Sequence, residues 1–457
     1  MNSPPLLTDP ARAWAPWDPD SKDRWDLARV GHLHRRAGFA PSWSVLQRDL
    51  SDGPDASVDR LIEGEPTAGD GQPAPAFDAM LDAMSGQLAE GASLARLQGI
   101  WLYRMVFTPH PLRERMTLFW HNHFATSHGK VKNSLLMQRQ NDLLRSHALG
   151  DFKTLLSAIG KDPAMLIWLD STENRKARPN ENYAREVMEL FTLGRGHYTE
   201  KDVQEAARAF TGWFVVRDRF QVIQGEHDLG TKQVLGRAGL LQGDDIAPIL
   251  LDQAACAEFL CEKLIRQFVT EVDPIPAALI ASLAEPFRAS GYDIRVPLKT
   301  ILRSNLFHTT AVRRRRVKSP VEFTIGTIRA LEVLKPTVQA DALAQACGQM
   351  GQNLYAPPSV AGWDGGASWA NSTTMLARAN FALALLSDQD AALGKRLNPQ
   401  ELAALHGATT SREACDFLID LLVQDAFDRK LRERVSAKVA PKEIAATILT
   451  SPEYQLA

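Results

Sequence analysis

Hydrophobic residues recur at helical spacing through most of this 457-residue chain. Leu27, Val30 and Leu33 follow one another at intervals of three residues, which places their side chains on one face of an α-helix. The run ends at Gly38. Similar patterns predict helices at 131–148, 151–159, 180–193, 200–211, 246–268, 275–290, 294–305, 319–334, 337–350 and 373–387.

One stretch has the pattern of β-strands. WFVVRDRFQVIQ (Trp213–Gln224) contains β-branched and aromatic residues that partly alternate with polar ones. GEHDLGTKQVLG (Gly225–Gly236) follows, with glycines on both sides of a second short strand. We therefore predict a mainly α fold, a large multi-helix globular body with a small β-hairpin or sheet inserted around 213–236.

Three segments lack any regular pattern and suggest how the chain is organised. Residues 1–22 are rich in proline and tryptophan and are expected to form an extended arm whose tryptophans dock on the body. Residues 64–76 are a Pro/Gly-rich linker, and Tyr355–Thr373 is a long loop with two tryptophans. Residues 23–457 are otherwise expected to be a single helical domain. Long loops inside compact domains are often functional.

The charge balance narrows the classes of partner. With 52 basic and 54 acidic residues, the net charge of −2 disfavours nucleic-acid binding through a broad basic surface. The only dense basic run is Arg313–Arg316, followed by Lys318. This run could be a solvated loop ahead of a helix that begins near Pro320. Alternatively, it could contact a phosphate or an acidic partner.

The remaining composition points to a soluble protein. The four cysteines are scattered and contain no CxxC pair, which argues against structural zinc and a disulfide framework. No stretch approaches the roughly 20 apolar residues of a membrane span. Because the first 25 residues lack the features of a signal peptide, the sequence as written predicts a cytoplasmic protein.

The stretch FWHNHF (residues 119–124) contains the most suggestive histidines. On a helix His121 and His123 are about 200° apart, so they cannot bind one ion from the same face. His123 shares an apolar stripe with Trp120, whereas His121 lies on the other side. Two interpretations stay open. The histidines could be core residues with hydrogen-bond partners, or they could be ligands of a divalent metal together with Glu186.

A second candidate is NENYAREVMELFTLG (Asn180–Gly194), which combines a polar and an apolar stripe. Arg185, Glu186 and Glu189 lie on the polar one. Carboxylates one turn apart can share a cation with a histidine from another helix. Arg185 and Glu189 are also spaced as a simple i,i+4 ion pair on a solvated face.

The β insert and the long loop provide two further candidates. His227 and Asp228 could form an oriented base with Lys232 as an anion contact, or Asp228 could simply stabilise a turn. Trp363 and Trp369 could stack on a sugar or an aromatic ligand, although tryptophans more often cap a core. The P-loop, Rossmann and nucleophile-elbow motifs do not occur.

Five stretches taken together resemble a large bacterial family known only as domain of unknown function 1800. The resemblance extends from about residue 27 to near the C-terminus. The stretches are HLHRRAGFAPSW (His32–Trp43), FWHNHF, NYAREVMELFTLGRGHYTEKDVQEAARAFTGW (Asn182–Trp213), HDLGTKQVLG (His227–Gly236) and GQNLYAPPSVAGWDGG (Gly351–Gly366).

The resemblance implies a mainly helical protein but no established activity. Members are often encoded beside a family similar to sulfatases and alkaline phosphatases, which implies a partner of that kind. Many members look exported, so a periplasmic location is the alternative to a cytoplasmic one. Many also have histidine where this chain has Phe191, so a metal site built on that position would lack one ligand here.

The family signature falls on polar residues that a core does not require, and this favours one shared polar site. We expect the helices at 112–127, 180–193 and 200–211 to converge with the insert on a buried pocket. Its catalytic residues would be Glu186, Glu189, His227 and Asp228, and its substrate contacts Arg185, Arg208, Lys232 and Trp363. The expected function is metal-assisted hydrolysis or oxidation. The alternative is a non-catalytic binding or assembly protein that contacts a partner or glycan through the loop 355–373.

Overall fold

The computed structural model describes residues 9–20, 23–88, 91–271, 274–333, 339–387, 397–424, 433, 435 and 440–457. The helices of the first half are α1 (Pro10–Trp14), α2 (Leu27–Ala37), α3 (Trp43–Asp52), α4 (Pro54–Glu63), α5 (Ala74–Gly86), α6 (Leu94–Phe107), α7 (Pro111–His123), α8 (His128–Val131), α9 (Ser134–Ser146), α10 (Phe152–Gly160), α11 (Pro163–Trp168), α12 (Asn182–Glu186) and α13 (Glu200–Ala209).

The second half contains α14 (Gly243–Leu251), α15 (Ala254–Phe268), α16 (Ala277–Ala289), α17 (Arg295–Arg303), α18 (Asn305–His308), α19 (Pro320–Ala330), α20 (Ala340–Gln349), α21 (Ser372–Leu386), α22 (Pro399–Leu405), α23 (Ser411–Leu422) and α24 (Pro441–Leu449). Short 3₁₀ helices lie at Ser171–Glu173, Gln224–Glu226, Gly366–Trp369 and Glu453–Gln455. The prediction of a mainly α fold is confirmed. No helix in the described part of the chain is both long and apolar enough to cross a membrane.

The predicted β insert is confirmed as two separate antiparallel hairpins. Strand β1 (Trp213–Val216) pairs with β2 (Arg219–Val222), and β3 (Lys232–Val234) pairs with β4 (Arg237–Gly239), three residues beyond the predicted end. Both central residues of each two-residue turn have positive φ, at Arg217–Asp218 and Leu235–Gly236. Turns of this kind match the right-handed twist of the paired strands, which explains such short connections.

Two helices lie between two hydrophobic cores. Helix α7 contributes Met116 and Trp120 to one core and Leu118 to the other. Helix α2 likewise contributes Leu33 to the first core and Val30 to the second. Polar residues on α2 and α7 therefore lie at the junction of the cores rather than on an outer surface.

Several predicted elements differ from the structure in detail. The described part of the arm, residues 9–20, contains helix α1, which begins where Asp9 accepts the N–H of Arg12; residues 1–8 and 21–22 lie outside the described part. The predicted linker 64–76 includes the start of α5 and is bonded to the end of α6, because Gly69 N–H donates to Phe107 O. The helix expected over 180–193 changes at Val187–Thr192 into a π-helical segment.

The run Arg313–Arg316 is not a solvated loop, and that interpretation of the sequence is wrong. The C-terminal segment covers it, because Val317 pairs with Leu456 and the N–H of Lys318 donates to Gln455 O. Arg316 and Lys318 are buried, and within the run only Arg315 is exposed. Helix α19 does begin at Pro320, as expected.

Candidate functional site

The two histidines of FWHNHF face different surroundings. His121 Nε2 accepts the N–H of Tyr355 at 3.0 Å, and its ring packs edge-on against Trp101. Burial lowers the pKa of His121 to about 3, so the ring is neutral. His121 therefore serves as an acceptor that holds the start of the long loop 355–373.

Asn122, which the sequence analysis did not select, fixes the middle of the same loop. Its Oδ1 accepts the N–H of Trp363 at 2.7 Å, and its Nδ2 donates to Trp363 O at 3.3 Å. Trp363 and Trp369 are 8% and 7% exposed. The Trp363 ring therefore offers little surface to a ligand or glycan. The position of Asn122 between two histidines is the only sequence signal that could have indicated its role.

His123 lies on the opposite side of α7 and bonds to the π-helical segment. Its Nε2 donates to Phe191 O at 3.0 Å, and its Nδ1 accepts from Lys263 Nζ at 3.0 Å. Because Phe191 lies in the last turn of the helix, which ends at Thr192, its carbonyl oxygen has no partner within the helix and can accept this bond. Burial lowers the pKa of Lys263 to about 8. Both nitrogens of His123 are thus already engaged.

Arg185, Glu186 and Glu189 lie on one partly exposed stripe but do not pair with each other. Arg185 bonds to Glu200 and to Glu181, whereas Glu189 accepts from Arg195 and Tyr198 at 2.6 and 2.8 Å. The simple Arg185–Glu189 ion pair is therefore not formed. Burial, and then the nearby Glu189, raise the pKa of Glu186. Within the described residues, the Glu186 carboxylate has no hydrogen-bond partner.

The polar residues of the insert fasten it to α13. Arg208 donates to both oxygens of Asp228, at 2.8 and 3.2 Å. Lys232 Nζ donates to the backbone oxygens of Asp228 and Gly230, at 2.5 and 3.0 Å. His227 Nδ1 donates to Thr211 O at 2.8 Å, so Asp228 does not orient this histidine. Arg208, Asp228 and Lys232 therefore form a network of bonds within the protein.

The expected convergence on one pocket is not observed. His121, His123, the stripe of Glu186 and the network of Arg208 have different partners, as described above. Among the residues that the structure describes, no three His, Cys, Asp or Glu side chains form a group that could hold a metal ion. The roles assigned to these residues from the sequence stay predictions.

A different pocket of about 440 Å³ lies among α2, α3, α4 and the loop after α4. We call it the Asp49 pocket, after the carboxylate in its wall. Its volume falls within the range of small-molecule sites, which is about 300–1,000 Å³. The side chains used below line it: His34, Ser44, Arg48, Asp49, Arg60 and Glu65.

Asp49 is fully buried and accepts hydrogen bonds from three helices. His34 Nε2 lies 2.7 Å from Asp49 Oδ2, Arg48 Nε lies 2.9 Å from Oδ1, and Arg60 also donates to Oδ1. Burial alone would raise the pKa of Asp49, but the bonds from His34 and Arg48 outweigh it and lower the pKa to about 2. Asp49 is therefore ionised, and His34 must carry its proton on Nε2 to donate to it.

The other charged groups of the pocket wall also have hydrogen-bond partners. Arg48 forms a fork with Glu65, at 3.1 and 2.6 Å. Arg329 donates to the backbone oxygens of Met105 and Val106. Glu332 accepts from Trp43 N–H and from His406. The wall thus contains three guanidinium groups and three carboxylates and is nearly neutral.

The sequence contained only a weak signal for this pocket. His34 lies in HLHRRAGFAPSW, which carried part of the family resemblance. Asp49, however, stands between Arg48 and Leu50 on a short amphipathic helix, and charged residues in such a context usually face solvent. Only the packing of α4 and the following loop over α3 turns this aspartate into a buried acceptor.

These observations define a mainly helical protein with a polar pocket at the junction of its N-terminal helices. The chain belongs to the family described as protein of unknown function DUF1800, whose model matches residues 32–456. The resemblance predicted from the sequence is thereby confirmed. Neither the curated proteins nor the solved structures contain a match.

Proposed function

We propose that the protein binds a small polar molecule in the Asp49 pocket and that His34 acts on this molecule as a general base. One observation carries the proposal: a histidine in the wall of a pocket of small-molecule size is bonded at 2.7 Å to a buried, ionised aspartate. A base held by such a partner has a fixed orientation and a fixed tautomer.

The chemistry follows from the two ring nitrogens. Because Nε2 donates to Asp49, the lone pair of His34 is on Nδ1, and no described residue bonds to that atom. Nδ1 would take a proton from a ligand hydroxyl group or from a water molecule. The Asp49 carboxylate would stabilise the imidazolium that results. This role serves hydrolysis by a histidine base, whereas the function expected from the sequence is metal-assisted hydrolysis or oxidation.

The charge balance of the wall indicates the class of ligand. Three guanidinium groups and three carboxylates favour a neutral or zwitterionic molecule with both hydrogen-bond donors and acceptors. A ligand with a strong net charge would place that charge next to wall residues of the same sign, and their repulsion would oppose binding. A neighbour-encoded partner similar to sulfatases or phosphatases, and contact through the loop 355–373, stay predictions.

Binding can be tested by closing the pocket. Ser44 is exposed and lines the pocket, so Ser44→Trp should fill the opening without disturbing the core. Ser51→Trp is the matched control, since Ser51 is exposed on the same helix and does not line the pocket. Ligand-observed NMR with a mixture of small polar metabolites should give signals with wild type and the control but not with Ser44→Trp. Equal signals from all three proteins would refute the assignment.

The catalytic role of His34 is tested with a second variant. His34→Gln keeps a donor for Asp49 but cannot accept a proton at the position of Nδ1. We expect wild type to convert a bound metabolite in mass-spectrometric assays of the mixture, and His34→Gln to bind the same metabolite without converting it. Binding without conversion by wild type would leave the binding role and remove the catalytic one.

A further inference from the structure

Seven cationic side chains meet inside the protein, away from the Asp49 pocket. They come from α2, α7, α21 and the segment 314–318. All except Arg314 are at most 5% exposed, and Arg36 is fully buried. We call them the cation cluster: Arg35, Arg36, Arg115, Arg314, Arg316, Lys318 and Arg378.

Among the described residues, three carboxylates lie near the cluster. Glu322 accepts from Arg316 at 2.5 Å and forms an ion pair with Arg115. Burial would raise the pKa of Glu322, but these two arginines lower it to about 2. Glu271 interacts with Arg316 and Arg36, and Glu453 with Arg314. The cluster therefore has more cations than carboxylates.

One side of the cluster has only neutral hydrogen-bond acceptors in the part of the chain that the structure describes. Arg314 donates to the backbone oxygens of Glu453 and Val423, both at 2.9 Å. Arg378 donates to Lys318 O at 2.6 Å and to the side-chain oxygen of Gln455 at 3.3 Å. Burying cations next to one another without a counter-charge is strongly unfavourable.

Arg35 and Lys318 belong to the same side. Arg35 donates to the side-chain oxygen of Gln424. The ammonium group of Lys318 lies 3.7 Å from the centroid of the Tyr454 ring and has no hydrogen-bond acceptor among the described residues. Neither side chain forms an ion pair there, although both are at least nine-tenths buried.

Several buried N–H groups of the cluster are also without an acceptor in the described structure. They belong to six arginines, and each can donate to an anion. On the side just described the atoms are Nε of Arg35, Nε of Arg314 and Nε of Arg378, and in the rest of the cluster they are Nε and Nη1 of Arg36, Nε, Nη1 and Nη2 of Arg115 and Nε of Arg316. Guanidinium groups with unused donors match the oxygens of a tetrahedral anion, and a lysine adds a point charge.

We propose that the cation cluster binds a small inorganic oxyanion, phosphate or sulfate, on the side formed by Arg35, Arg314, Lys318 and Arg378. The ion supplies the missing negative charge and accepts the unused N–H groups of that side. Because six of the seven side chains are at most 5% exposed, the site takes the free ion rather than an anionic group on a larger molecule. This site is separate from the Asp49 pocket and does not depend on the function proposed for it.

The first test is direct. The full-length protein is purified in chloride buffers free of phosphate and sulfate, denatured, and analysed by ion chromatography for released anions. The same protein is then dialysed exhaustively, and its thermal unfolding midpoint is measured with phosphate, sulfate or chloride at equal ionic strength. We expect released phosphate or sulfate near one equivalent, or else a midpoint that rises with one of these ions well above its value in chloride.

A matched pair of variants locates the site. Lys318→Met removes a buried cation at nearly constant volume, and Arg315→Met removes the exposed cation of the same run. We expect Lys318→Met to bind the anion at least tenfold more weakly and Arg315→Met to behave like wild type. If Lys318→Met does not fold, the measurements on wild type still decide whether an anion binds.

Three outcomes overturn the proposal. One is wild type that releases no oxyanion and responds equally to phosphate, sulfate and chloride, since that response reflects screening alone. Another is Lys318→Met that retains the affinity of wild type. The third is a phosphorylated or sulfated organic molecule in the released material in place of the inorganic ion, which would contradict the proposed source.

Discussion

The Asp49 pocket and the cation cluster lie on two sides of the same helix, and they balance charge in opposite ways. Helix α2 provides His34 to the pocket and Arg35 with Arg36 to the cluster. In the pocket, each guanidinium group has an acceptor from the protein itself. In the cluster, Glu322 compensates only part of the positive charge. Adjacent residues of one sequence motif therefore belong to two kinds of site. His34 lies in a pocket whose charges balance one another, whereas Arg35 and Arg36 lie in a cluster for which we propose an additional ion.

The largest effect is expected for Glu322→Gln. This change leaves Arg115 and Arg316 buried without their carboxylate, which should lower the free energy of unfolding by about 4 kcal/mol. Glutamine still accepts from Ser319, so the N-terminus of α19 is kept. Urea unfolding at pH 7 measures the loss.

The matched control for that variant is Glu413→Gln, which changes the equivalent capping residue of α23 on the surface. It should have little effect. Added phosphate or sulfate should stabilise wild type and Glu413→Gln. Equal losses for the two variants would show that the charge of Glu322 is not needed in the cluster.

A somewhat smaller loss is expected for Asp49→Asn. The asparagine cannot compensate Arg48 and Arg60, and the free energy of unfolding should fall by about 3 kcal/mol. Asp52→Asn is the control, since Asp52 also contacts Arg60 but is partly exposed. If the two variants lose the same stability, the pocket network has no special role in holding α2, α3 and α4 together.

The pH dependence sharpens this comparison. The folded pKa of Asp49 is about 2, below its ordinary value of 3.8. As the pH falls, Asp49 therefore binds a proton in the unfolded chain before it does so in the folded one. The ionised Asp49 contributes about 2 kcal/mol to the free energy of unfolding, and this contribution is complete above pH 4 and is lost as the pH falls towards 2. Unfolding measured from pH 7 to pH 3 should show the gap between wild type and Asp49→Asn narrowing below pH 4. A constant gap would contradict the low pKa.

The smallest effect is expected where no charge is involved. Asn122→Ala removes both bonds to Trp363 and should cost about 1–2 kcal/mol, because the N–H of Trp363 loses its acceptor. Tryptophan fluorescence should also report greater solvent access. Ser368→Ala, in the exposed part of the same loop, is the control. No change in either property would mean that Asn122 does not anchor the loop.

The sequence predicted those features that depend on local pattern. Apolar periodicity indicated the helices, and β-branched residues indicated the insert. A local capping signal is also present at α13, where Thr199 forms a capping box with Asp202. The sequence pattern did not predict the breaks inside these helices. At Ser304, for example, the expected helix 294–305 divides into α17 and α18. A polar residue that caps a new helix does not interrupt the apolar pattern enough to be recognised.

The candidate sites were harder to predict because burial of charge depends on distant segments. The cover over Arg316 and Lys318 comes from residues about 140 positions later, at Gln455 and Leu456. Asp49 accepts a third bond, from Arg60, only because α4 packs against α3. Neither relationship leaves a periodic signal in the sequence. The same holds for Phe191, whose carbonyl oxygen accepts a hydrogen bond from His123, 68 positions earlier in the sequence.

The bonds of His121 and Asn122 also have a consequence for biosynthesis. Their partners, the backbone groups of Tyr355 and Trp363, lie 234 and 241 residues further along the chain. At about 5–20 residues per second, a ribosome makes that stretch in roughly 12–48 s. During this interval the end of α7 has no partner for either side chain, and the face that Trp101 shares with His121 lacks its cover. The nascent chain therefore passes through a long window in which it depends on protection from aggregation, and the window closes only when the loop 355–373 has left the ribosome.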